Sequence, residues 1–267
     1  MIDVEGFKNY LYEEELSKNT IYCYTFAIRK FSEKYDDVTK ANLIDFKRDM
    51  IESGFKARSI NLRITGILAY CKYKEIPMKL KLVKEPKKTH VDNVISSEQV
   101  KFLLKCLEAD GREQWRVNIL LLAKTGMRIS EALRVTKKDV LSGSVTMHTK
   151  AHMRTIYFPK SLIDDLSKFL EDLKDDDVIM RTKYGKPATS RGISEGLKRY
   201  ANLYGIPKEV MHPHSFRHFF AIEFLKRNNN IALLADILGH CDVKMTQIYL
   251  RQSQEQQSDA VDKAVDW

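Results

Sequence analysis

Between Pro77 and Val94 the helical spacing of apolar residues stops, and Lys79, Lys81, Lys84, Lys87 and Lys88 collect around Pro86 with little acidic charge to oppose them. A stretch with no apolar face and a proline in it reads as an extended linker. It divides the chain into two bodies. A length of 267 residues suits that division, being long for one helical domain and sufficient for two separate cores. The expected organisation is a domain over 1–85, a basic linker over 86–93 and a second domain over 94–267.

The first body reads as consecutive amphipathic helices. Val4, Phe7, Tyr10 and Leu11 line one face, and Ile21, Tyr24, Ile28 and Phe31 line another. Thr39 can cap a third helix carrying Leu43, Phe46 and Met50, which Gly54 ends, and Ile60, Ile64, Ile67, Leu68 and Cys71 mark a fourth. In the second body Ser96 and Gln99 form a capping-box pattern ahead of Val100, Leu103, Leu104 and Leu107. Another helix runs through Ile119 to Ala123 and stops at Gly126. Val145–Thr149 and Thr155–Phe158 predict a β-hairpin turning around Lys150 to Arg154, after which helical spacing resumes with Leu162, Leu166, Phe169 and Leu173, then Ile193, Leu197 and Tyr200. The fold class is therefore mainly α, a helical domain followed by a mostly helical one with a small β-hairpin.

Composition narrows the function. No apolar run approaches the roughly 18 residues of a membrane span, and Asp3 and Glu5 interrupt anything resembling a signal peptide. The expectation is a cytoplasmic protein. Cys23, Cys71, Cys106 and Cys241 stand singly, without the close pairs of zinc sites, so neither disulfide nor metal is predicted. A formal charge of +9 and a pI near 9.2 favour a polyanionic partner, because lysines and arginines that neutralise phosphates release condensed counterions.

The chemistry concentrates in Pro213-His214-Ser215-Phe216-Arg217-His218, which opens a helix. His214 and Arg217, at i and i+3, leave the same face and can meet one small anion. An H-x-x-R pair alone is more often ordinary surface. Here it is followed by Leu238-Gly239-His240 and by Tyr249 in Thr246-Gln247-Ile248-Tyr249-Leu250, and preceded by Thr125-Gly126-Met127-Arg128-Ile129-Ser130-Glu131. Any one of these residues has a bland reading as core, helix terminus or solvated charge. Their conjunction carries the argument.

Together, from about Ile95 to Arg251, these motifs resemble the tyrosine recombinase (phage integrase, Xer-like) family, and the first body is similar in size and position to that family's helical core-binding domain. The resemblance implies a tyrosine recombinase fold and a site-specific DNA recombinase. It makes Tyr249 the nucleophile, Arg128 and Arg217 the grip on the scissile phosphate, His214 and His240 further members of the pocket, and Lys150 the acid that protonates the leaving 5′-oxygen. Glu131 would hold Arg128. The hairpin match is the loosest, since Ala151 replaces the family's usual glycine and His152 and Arg154 are close by. Two bidentate guanidiniums can neutralise a pentacoordinate transition state where other enzymes use metal ions, so no cofactor is expected. A phenol of pKa about 10 needs help losing its proton at neutral pH, and His214 is the candidate either to be that base or to orient the phosphate. The 3′-phosphotyrosyl ester conserves the energy of the broken bond, so no ATP is needed.

The implied partner is duplex DNA carrying recombination sites, held by a homotetramer, with Lys84, Lys87 and Lys88 along the phosphates and room for accessory DNA-bending proteins. No separate arm-binding domain is expected ahead of the first helix. Integration of a mobile element and Xer-like resolution both fit, with the former the first choice. The rivals are a type IB topoisomerase-like nicking and closing enzyme, and a catalytically silent DNA-binding protein.

Overall fold

Helices α1 (Val4–Glu13), α2 (Lys18–Ser32), α3 (Lys40–Glu52) and α4 (Ala57–Tyr73) form the first body, each placed by where its apolar stripe can be buried. Three of them begin on a side chain that accepts an otherwise unpaired helical N–H: Asp3 from Gly6 at 2.8 Å, Ser17 from Thr20 at 3.1 Å and Thr39 from Asn42 at 3.1 Å. Phe7, Leu11, Ile28, Phe31, Leu43, Ile60, Ile64 and Ile67 are removed from solvent in its core. The computed structural model describes residues 2–85, 93–148, 153–239, 246, 248–250, 262 and 265. The chain falls into two compact units, Met1–Lys87 and Lys88–Trp267.

The stretch after α4, in which the sequence shows no helical face, packs on the first unit. Ile76, Met78, Leu80 and Val83 pack against its core. The Asn61 side chain clamps Val83 from both sides, accepting from its N–H at 2.8 Å and donating to its carbonyl at 3.0 Å. Lys47 donates to the carbonyl of Lys81 at 2.7 Å. Residues 76, 78 and 80 alternate as an extended chain does, and a search for helical spacing passes over a period of two. Lys84 is exposed. Lys87 and Lys88 lie outside the described residues, as does most of the expected linker.

The second unit runs α5 (Ser97–Ala109), α6 (Glu113–Thr125), α7 (Ile129–Ala132), α8 (Lys137–Leu141), β1 (Ser144–His148), β2 (Met153–Tyr157), α9 (Lys160–Glu171), α10 (Ser190–Tyr204), α11 (Pro213–Arg227) and α12 (Ile231–Leu238), with a 3-10 turn at Ile248–Leu250. The Ser96–Gln99 capping box forms as the sequence suggests. Helix α6 is buried at every position from Val117 to Ala123, and α5, α9 and α11 pack around it. The antiparallel hairpin pairs Ser144 with Tyr157 and His148 with Met153. Its second strand therefore begins two residues earlier than Thr155, which draws Arg154 into the strand. One large core is built on Leu103, Leu107, Leu121, Leu162, Leu166 and Phe216. Beside it, Ala221, Leu225, Leu234 and Leu238 form a smaller cluster on which Phe220, Phe224 and Tyr249 rest. The apolar stripe of α11 thus serves two cores, Phe216 facing one, Phe220 and Phe224 the other. No helix among the described residues is long and apolar enough to cross a membrane.

The Asn61 clamp generates a prediction. Asn61→Ala removes both bonds to Val83, worth about 1–3 kcal/mol locally. Hydrogen exchange at the Val83 amide and trypsin cleavage after Lys79, Lys81 and Lys84 should both accelerate, while the amides of α4 keep their protection.

Candidate active site

Two glycine-ended helices and one capped helix start assemble the site. Helix α6 stops at Gly126, whose φ of +62° is left-handed and where an added Cβ would fall 2.4 Å from Cδ1 of Phe220. Only glycine fits there. The turn frees the Gly126 carbonyl, which accepts from Nη1 of Arg217 at 2.8 Å. Helix α12 ends the same way at Gly239, with φ +61° and room for a Cβ denied by the Arg154 side chain at 2.5 Å. Its terminal carbonyls are shared out among arginines. Leu238 accepts from Nη2 of Arg217 at 2.6 Å and from Nη1 of Arg154, and Gly239 accepts from Nη2 of Arg128 at 3.1 Å.

Arg128 caps α7, and its backbone N–H donates to Oε2 of Glu131 at 2.7 Å while its Nη1 donates to Oε1 at 3.1 Å. The other side of that carboxylate meets Nη2 of Arg154 at 3.3 Å. Glu131 is 4% exposed, Arg154 5% and Arg217 3%, so one buried carboxylate stands among three guanidiniums. Burial and then the charges of Arg128 and Arg154 push the Arg217 pKa down to about 9. Burial also lowers Arg154, against the pull of Glu131.

Helix α11 starts with Pro213 at its first turn and His212 as cap, the His212 Nδ1 accepting from the Ser215 N–H at 3.1 Å. Ser215 in turn accepts from the Ile95 N–H at 2.8 Å, fixing the helix start inside the fold. Along this helix follow His214, Arg217 and His218. His214 is exposed on its outer side. Its pKa is lowered, first by water lost on its inner side and then by the charges of Arg217, His212 and Arg128. Half-buried Tyr249 comes from the 3-10 turn, and its hydroxyl lies 2.8 Å from Nδ1 of His218. Burial raises the phenol's pKa, with Arg217 opposing.

Of the residues expected from sequence, the structure gathers Arg128, Glu131 and Arg217 into one network and brings Tyr249 to the helix that carries His214 and Arg217. The histidine on the phenol is His218, where the sequence offered His214 either as the base or as a group orienting the phosphate. Lys150 and His240 lie outside the described residues. Sequence reasoning did not single out Arg154, His212 or His218 as members. A signal existed for two of them: Arg154 occupies the apolar parity of β2, alternating with Ile156, and His218 stands one turn beyond His214.

The phage integrase family model matches residues 93–256, more than half of the chain and all of the elements just described. The chain belongs to this family. It is 31% identical to Tyrosine recombinase XerA of Pyrococcus furiosus over 98% of this chain and 93% of that protein, and 29% identical to Tyrosine recombinase XerA of Thermococcus kodakarensis over 98% and 94%. Among solved structures, a lambda integrase dimer bound to a COC′ core site has the same fold, with a TM-score of 0.76 at 17% identity over 94% of each chain. XerH recombinase bound to difH gives a TM-score of 0.69 at 17% identity over 91% of this chain and 79% of that one. This enzyme is a site-specific tyrosine recombinase.

The shared carboxylate makes a stability prediction for the recombinase. Glu131→Ala leaves buried Arg154 without its counter-charge, and breaking a buried pair of this kind costs about 3–5 kcal/mol. Urea or thermal denaturation should show a loss of that order. Glu195→Ala, which breaks the exposed Arg191–Glu195 pair, should change stability by about 0.5 kcal/mol or less.

Proposed function

We propose that the recombinase cleaves and rejoins double-stranded DNA at specific sites through a 3′-phosphotyrosyl link to Tyr249. The observation that carries this reading is the convergence of the Arg128 and Arg217 guanidiniums next to a helix that also receives the Tyr249 hydroxyl. Attack on a phosphodiester gathers negative charge on the nonbridging oxygens, and guanidiniums fixed beforehand stabilise it without reorganising. Glu131 and the carbonyls of Gly126, Leu238 and Gly239 supply that fixation. His214, exposed beside Arg217, donates to the same phosphate. Lys150 protonates the 5′-oxygen as it leaves, and His240 completes the pocket. The ester stays on the enzyme until the 5′-hydroxyl of another strand displaces the tyrosine.

Exchange of two strand pairs between two sites needs four protomers, and we assign a homotetramer on DNA as the working assembly. The positive charge of the chain, including the exposed Lys84 with Lys87 and Lys88 beyond it, supports long contact with phosphates. The full-length match to relatives named XerA favours an Xer-like role over mobile-element integration.

Tyr249→Phe should bind site DNA with unaltered affinity yet form no denaturant-resistant adduct with a nicked suicide duplex. An adduct surviving in that variant would move the nucleophile elsewhere. For Lys150, sulfur in place of the bridging 5′-oxygen provides a leaving group that needs no acid. Lys150→Ala should therefore lose about 100-fold or more on ordinary DNA and recover most of that loss on the 5′-phosphorothioate. Equal defects on both substrates would show that the lysine only binds.

A further inference from the structure

As Tyr249 attacks phosphorus it must give up its proton, and the ring nitrogen placed to take it is Nδ1 of His218, 2.8 Å from the phenolic oxygen. That distance is the normal length of a hydrogen bond, and a group serving as base must stand within such reach of the proton it removes. The two rings come from different parts of the chain, 31 residues apart, and meet at 5.4 Å between centroids with a tilt of 52°. The His214 ring packs edge-on against His218 at 5.0 Å. Among the described residues, the titratable and charged groups around this pair are His214 and Arg217 on α11 and Tyr249 on the 3-10 turn. Behind Arg217 stand Arg128, Arg154 and Glu131. A phenol with an ordinary pKa of about 10 is protonated at neutral pH and burial raises this one further, so a base within reach is needed.

We propose that His218 is the catalytic base that accepts the Tyr249 proton in cleavage and returns it in ligation, leaving His214 to the phosphate. The inference rests on the reading of Tyr249 as nucleophile. In cleavage the bond from the phenolic oxygen to phosphorus forms, the proton passes from that oxygen to Nδ1, and the bond from phosphorus to the 5′-oxygen breaks, its electron pair leaving with that oxygen. In ligation the imidazolium returns the proton to the departing phenolate. A neutral imidazole with an ordinary pKa of about 6.5 is the side chain suited to exchange a proton in both directions near neutral pH.

The test is the single-turnover rate of adduct formation on a nicked suicide duplex from pH 5 to 9, for the intact enzyme, His218→Asn, His218→Ala and His214→Asn. Asparagine can keep a hydrogen bond to the phenol but cannot carry the proton. The intact enzyme should accelerate with pH and level off as the imidazole loses its proton. Both His218 variants should be slower by about 100-fold or more at pH 7, without that limb, and added imidazole should speed His218→Ala. His214→Asn should keep the limb at a lower rate. A His218→Asn enzyme that retains the same limb, or a His218→Ala enzyme indifferent to imidazole, would reduce His218 to orienting the tyrosine and overturn the proposal. An intact enzyme forming its adduct through a residue other than Tyr249 would overturn the nucleophile assignment and this inference together, which distinguishes the two failures.

Discussion

Three guanidiniums, two of them buried, meet around one carboxylate and repel one another, and the second unit depends on how that repulsion is held. A single carboxylate, Glu131, balances part of it. The remainder falls to backbone carbonyls at two helix ends, Gly126 on α6 and Leu238 and Gly239 on α12. Carbonyls at helix C-termini lack partners within the helix and carry the negative end of its dipole, so they suit cations. The left-handed glycines serve the same purpose. They end each helix abruptly and turn its last carbonyls toward the arginines, and a side chain at either glycine would collide with Phe220 or Arg154.

This arrangement is imperfectly balanced, with three guanidiniums against one carboxylate. Folding alone disfavours charge on Arg217, as its lowered pKa records. In the proposed reaction a phosphate arriving at the site would supply the missing negative charge and find the donors already oriented. On that reading, stability forgone in the free protein becomes affinity for the group to be transformed, as active sites commonly trade one for the other. Arg154 has a place in this balance: it joins β2 to Glu131 and to the end of α12, tying the hairpin to Arg128 through a shared carboxylate.

Local signals in the sequence were legible where one residue type has one job. Thr39, the Ser96–Gln99 pair, Gly126 and Gly239 mark helix ends because capping and left-handed turns admit few side chains. Arg128, Glu131, Arg217 and Tyr249 were legible as a conjunction of motifs. Other features depend on distance in space. The alternation with Ile156 marks Arg154 as inward-facing, but nothing local announces that it will meet Glu131 and Leu238. His218 reads as the next polar residue after Arg217 until the 3-10 turn brings Tyr249 to it from 31 residues away. The apolar side of residues 76–83 was missed because the lysines dominate the eye while Ile76, Met78 and Leu80 bury at a period of two, with Val83 beyond them.

The hydrogen bond from the Ile95 amide to Ser215 has a mechanical side. Ile95 is fully buried at the entry of the second unit, and Ser215 sits in the first turn of the helix that carries His214, Arg217 and His218. A pull on the chain at Ile95 would load α11 through one short, buried bond. A load at the entry of this unit is thereby a load on the helix that carries His214, Arg217 and His218.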